Sequence, residues 1–78
     1  MAPVLKAYAN AAEALMKVYG VDGALEILAQ AKRLARVRDV ETPEDVYRIG
    51  TVLVEEGGFN ATVGHHLVAV ALLAGAEQ

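Results

Sequence analysis

At 78 residues the chain is one domain's length, and its net charge of −3 argues against a general binder of nucleic acid or anionic membrane. It has no cysteine, which excludes disulfides and thiolate metal sites and leaves the redox compartment open. It is 55% apolar with only four aromatic residues (Tyr8, Tyr19, Tyr47 and Phe59), so its apolar mass is mostly Ala, Val and Leu, suited to closely spaced helices. A chain this short buries only about 60–65% of its unfolded surface. It normally needs disulfides, a metal or oligomerisation, and without the first, self-association is favoured.

The first predicted helix, 3–19, starts at Pro3, whose missing N–H is not needed at a first helical position. Leu5, Tyr8, Ala12, Leu15 and Tyr19 recur every three or four residues as an apolar stripe. Lys6, Asn10, Glu13 and Lys17 form the opposing polar stripe, with Glu13 and Lys17 in the favourable i,i+4 order. Gly20 is a natural stop. The second helix, 22–38, is capped by Asp22 and buries Leu25, Leu28, Ala31 and Leu34/Ala35, widened by Ile27 and Val37.

The third helix, 43–56, has the clearest start. Thr42 is the N-cap, Pro43 sits at the first helical position, and Glu44 and Asp45 place negative charge in the first turn. Val46, Ile49, Gly50 and Leu53 form its buried stripe, and Glu44 and Arg48 make another i,i+4 pair. Gly57-Gly58 ends it. The fourth helix, 60–75, is capped by Asn60. Links of two or three residues favour antiparallel neighbours, as a four-helix bundle or as paired helical hairpins.

Residues 57–76 carry no Lys, Arg, Asp or Glu. A membrane span needs about 20 predominantly apolar residues, whereas the unbroken apolar run here, Leu67–Ala76, is half that length. A helix apolar on all sides must be buried on all sides. Three thin neighbours in one small chain can hardly cover it. Gly64, Leu67, Val68, Ala71 and Gly75 offer a face through which another backbone can approach, and they are the expected self-association interface.

His65 and His66 are adjacent, so on a helix they point about 100° apart. Two ligands to one metal sit at i,i+3 or i,i+4, and no carboxylate stands at those spacings from either histidine. One histidine at the helix surface and one at an interface is the expected arrangement, and no cofactor or metal is called for. The basic cluster Lys32, Arg33, Arg36 and Arg38 holds four of the seven cations. It compensates the helix dipole and has Glu41, Glu44 and Asp45 nearby for pairing, or it contacts nucleic-acid phosphates. A helix-turn-helix across Gly57-Gly58 lacks the polar side chains that a recognition helix needs.

There is no serine, no phosphate-binding loop and no Gly-x-Gly-x-x-Gly, so catalysis is not expected. The N-terminus lacks a secretory signal, and a cytoplasmic location is the default. Composition fits a thermophilic source or a designed sequence, with Gly50, Gly64 and the paired histidines leaning against an idealised design. The expectation is therefore one all-α domain, 1–78, that forms a dimer through its last helix and acts as a non-catalytic interaction or scaffolding module. The alternative is a small nucleic-acid-binding or regulatory protein using the basic cluster, and a metal or ligand site at the histidines is a weaker third.

Overall fold

The computed structural model describes residues 3–75 and consists of three helices: α1 (Pro3–Ala35), α2 (Pro43–Glu56) and α3 (Gly58–Leu73). No strand occurs among the described residues. Ala76, the end of the uncharged run, lies outside them.

Three helices stand where four were expected, because the two helical segments that meet at Gly20 run on from each other as one kinked element. Helical turns continue on both sides of it, while its own backbone sits at φ 81, ψ 169. That region is essentially reserved for glycine. A Cβ at Gly20 would have nothing within 4 Å, so the constraint there is the dihedral and not space. Gly20 thus breaks the helical conformation where a stop was expected, and the next helical segment starts directly after it. Asp22, expected to cap the second helix, makes no side-chain hydrogen bond among the described residues.

The buried face of α1 also differs from the expected stripe. Val4, Ala7, Ala11 and Leu15 are buried before the kink, and Ala24, Leu28 and Ala31 after it. Leu5, Tyr8 and Ala12 pack only partly against the core, while Leu25 is 59% and Leu34 62% exposed. The alanines win the centre because they let neighbouring helices come close. Larger side chains one position away then flank the contact. Tyr19, the last residue of the expected apolar stripe, is exposed and meets Phe59 edge-to-face, with ring centroids 6.3 Å apart. Burial pushes the Tyr8 phenol above its ordinary value.

The start of α2 follows its sequence signals closely. Thr42 Oγ1 accepts from the Asp45 N–H at 3.2 Å, and the Asp45 carboxylate accepts from the Thr42 N–H at 3.0 Å, a reciprocal capping box. The Glu41 N–H donates to the same carboxylate oxygen at 3.0 Å. Partial burial pushes the Asp45 carboxyl up. The backbone donors of Glu41 and Thr42, the Thr42 side chain and the Arg48 charge outweigh it and hold the group below the usual aspartate range. Both expected ion pairs form, Arg48 with Glu44 at 2.9 Å and Lys17 with Glu13 at 3.6 Å. All are solvated, so each contributes little.

A single residue, Gly57, joins α2 to α3, and the two helices fold back on each other. Their backbones come closest where Gly50 meets Gly64, each seven residues from Gly57 and hence two turns away on the facing side. A Cβ added at Gly64 would lie 2.5 Å from the Gly50 carbonyl oxygen and 2.7 Å from the Val54 nitrogen. A Cβ at Gly50 would lie 2.9 Å from Val68 Cγ2. Around this crossing Val46, Ile49, Leu53 and Leu67 are fully buried, and Leu15 of α1 joins them. Each such side chain contributes about 1.5–3 kcal/mol of transfer free energy. The Cα radius of gyration, 11.1 Å, is close to the roughly 11.5 Å of a packed globular chain of this length.

Asn60 does not cap α3. Gly57 occupies the N-cap position without a side-chain bond, and Asn60 lies inside the first turn, donating from Nδ2 to Glu56 Oε1 at 2.9 Å. The near-zero link leaves no extended residue for Asn60 to occupy.

Gly64→Ala should destabilise the fold by about 1–3 kcal/mol in urea titration, the cost of overpacking. An exposed helical glycine would instead gain roughly 1 kcal/mol from the same change. Unchanged or raised stability would show that the Gly50–Gly64 approach is looser than described.

Candidate functional site

The composition of α3 makes it the element to examine, since no charged residue lies between Gly58 and Leu73. Its inner side holds Val63, Gly64, Leu67 and Ala71, all buried within the chain, with Val68 half-buried beside them. Three of the five residues expected to meet a second copy, Gly64, Leu67 and Ala71, are thus already covered by their own chain. Gly75 is half-buried just beyond the helix. Small residues do permit close approach here, but α2 is what approaches.

The outer side of α3 consists of Thr62, His65, His66, Ala69, Leu72 and Leu73, all exposed. Leu73 is 89% exposed and Leu72 43%. Other helices present charge to solvent: Lys6, Glu13, Lys17 and Arg33 on α1, and Glu44, Arg48, Glu55 and Glu56 on α2. The outer side of α3 presents none. This row went unread in the sequence, although Thr62, His66, Ala69 and Leu73 recur at spacings of four, three and four. Without a charged residue on α3, only Thr62, His65 and His66 hint at which side is outer, and they stop halfway along it.

The two histidines diverge as their adjacency requires. His65 lines a shallow groove of about 470 Å³ with Thr51, Val54, Glu55 and Val68, between α2 and α3. His66 lines another, of about 400 Å³, with Asn10, Ala11, Ala14, Phe59, Thr62 and Val63, between α1 and α3. Folding therefore brings Glu55 into the groove of His65, a neighbourhood that spacing along one helix could not reveal. Among the described residues no group of three or more His, Cys, Asp or Glu gathers in metal-binding fashion. No helix among them is long and apolar enough to cross a membrane.

The basic cluster is set by how α1 ends. The Val37 N–H donates to the Lys32 carbonyl at 2.9 Å and the Arg36 N–H to the Arg33 carbonyl at 3.1 Å, the paired bonds of a Schellman cap. Arg36 takes the left-handed position, with φ 59, where glycine is the usual occupant. Val37 then turns inward and is buried. The helix consequently ends at Ala35 and not at 38, and a loop of residues 36–42 follows. Lys32 is half-buried, and Arg33, Arg36 and Arg38 are exposed. None of the four forms an ion pair among the described residues; Glu44 is engaged by Arg48 and Asp45 by the capping box.

The chain matches no known protein family, no curated protein and no solved structure.

Arg36→Gly should raise stability by about 1 kcal/mol by removing the Cβ penalty of the left-handed conformation. Thermal or urea unfolding would measure it, and a loss of stability would mean that Arg36 does not hold that position in solution.

Proposed function

We propose that the chain is a non-catalytic helical interaction module, a single domain that associates with itself, most simply as a dimer. The observation that carries this reading is the outer side of α3, a solvent-facing helical surface with no charge along its length. An exposed helix face of a monomeric protein is ordinarily polar, and a helix apolar all round ordinarily has a cover on every side. The cover on the inner side is α2, so a partner belongs on the outer side and not on the side of Gly64, Leu67 and Ala71. Exposed Leu25 and Leu34 add apolar surface on the second half of α1. Further support comes from the short chain, which lacks disulfides. A four-helix arrangement of separate bundle elements is not needed for this role.

A second reading rests on Arg36. A residue kept at a glycine position at a cost of about 1 kcal/mol, beside three other unpaired cations, fits contact with an anionic partner such as a nucleic acid.

Sedimentation or light scattering between about 10 and 500 μM should show the mass rising from one chain toward two, a weak association of the kind small interfaces give. A constant monomer mass would sink the first reading. The second requires affinity for DNA or RNA that falls steeply with salt, with a slope reduced by about 1 for each cation removed. Salt-independent or absent binding would dispose of it.

A further inference from the structure

We infer that α1 has a second, straight state, in which residues 3–19 of one copy pack on the α2–α3 hairpin of another. Two glycines and one geometric mismatch carry the inference. Gly20 holds φ 81, ψ 169, almost the pair at Gly57, φ 76, ψ −178, where α2 turns back on α3. A straight α1 of 33 residues would be about 50 Å long, well beyond the molecule's greatest extent of 34 Å. Gly23 serves the same bend for a different reason, since a Cβ there would lie 3.0 Å from the Tyr19 Cβ. Residues four apart on an unbroken helix keep their Cβ atoms about 5–6 Å apart. The kink thus requires glycine twice, whereas an unbroken helix would be more stable with alanine at both positions.

Little else holds the kink in place. Tyr19, Gly20, Val21 and Asp22 are all exposed. No side chain caps the amides that open the second segment, among the described residues. A straight helix would give those amides carbonyl partners.

Kinking is what lets one core take both halves of α1. Leu15 and Ala24 are both buried, yet they are nine residues apart, two and a half turns at about 100° per residue. On a straight helix they lie on opposite sides, and Ala11 and Ala31 stand in nearly the same relation. A straight α1 therefore offers its two apolar faces to two different hairpins. Its second half stays on its own hairpin, which Val4, Ala7, Ala11 and Leu15 then no longer reach. The surface they leave is filled by the same four residues of a second straight copy, and the reciprocal exchange restores every core contact. Val18, Val21 and Leu25, exposed in the kinked form, fall at spacings of three and four on the straight helix and line the crossing of the two copies. The exchange does not depend on the outer side of α3. It yields a dimer that separates only when a copy unfolds.

Gly20→Ala shifts the balance toward the straight state by roughly thirtyfold or more, through the backbone region it disfavours and the helix propensity it adds. The expected product is a dimer that persists in gel filtration after extensive dilution, with native helix content by circular dichroism. Gly23→Ala should act in the same direction. D-alanine in place of Gly20, introduced by chemical synthesis, favours positive φ and should hold the chain monomeric. Spin labels at Lys6→Cys and Gln30→Cys, both exposed on a chain without cysteine, report the shape of α1 when diluted with unlabelled chain. They should read about 36 Å in the straight state and a shorter distance in the kinked monomer. A folded Gly20→Ala chain that stays monomeric, or a dimer that D-alanine forms equally well, overturns the exchange. If Gly20→Ala does not fold, the native chain decides. Refolded at about 1 mM, near the effective concentration of a tethered segment, it should yield some persistent dimer, and monomer alone overturns the inference. A dimer that dissociates on dilution with the label distance unchanged supports the α3 contact and overturns this one.

Discussion

The close approach of two backbones at Gly50 and Gly64 is the constraint on which the remaining architecture depends. With a Cβ on Gly64 the Gly50 carbonyl would be 2.5 Å away, so the α2–α3 hairpin in this form requires glycine there. Because both glycines lie two turns from Gly57, the one-residue link and the crossing select each other. Once α2 and α3 are pressed together, Ile49, Leu53 and Leu67 have their large side chains sealed around the contact, and α1 closes the core with alanines and Leu15. Large aromatic residues have no room at the centre, which is why Tyr19 and Phe59 meet at its edge.

This crossing also determines what the surface can do. Committing the glycine side of α3 to α2 turns Thr62, His65, His66, Ala69, Leu72 and Leu73 outward. It separates the two histidines into different grooves and brings Glu55 toward one of them. The surface that results is uncharged without being a membrane span, and it is more apolar than a helix facing water ordinarily is. At the far end of α1, the Schellman cap leaves four cations unpaired and one of them in a glycine conformation. These two places are where the molecule departs from what stability alone would select.

Much of the local structure was legible in residue order. The Thr42–Asp45 capping box, Pro43 at its first helical position, both i,i+4 ion pairs and the buried stripe of α2 all follow from spacings along one helix. Such features are decided within four residues, where backbone geometry leaves few alternatives. The row on α1 was legible only approximately. Leu15, Leu28 and Ala31 are buried as their spacing implied, whereas Ala7, Ala11 and Ala24 are chosen by how near a neighbouring helix can come, in place of the Leu5, Leu25 and Leu34 that hydrophobicity favoured.

By itself, then, the sequence determined that the chain is helical, where α2 begins, and that the last helix is too short and interrupted to cross a membrane and too apolar for water on every side. Only the tertiary structure decided that the segments before and after Gly20 run on as one kinked element, that Asn60 does not cap α3, and that the inner side of α3 is the one bearing Gly64. The reason is that α3 carries no charge, and its polar residues Thr62, His65 and His66 mark only the first half of its outer side. Beyond them periodicity does not distinguish inside from outside, and the distinction falls to the neighbour that fits, here the backbone at Gly50.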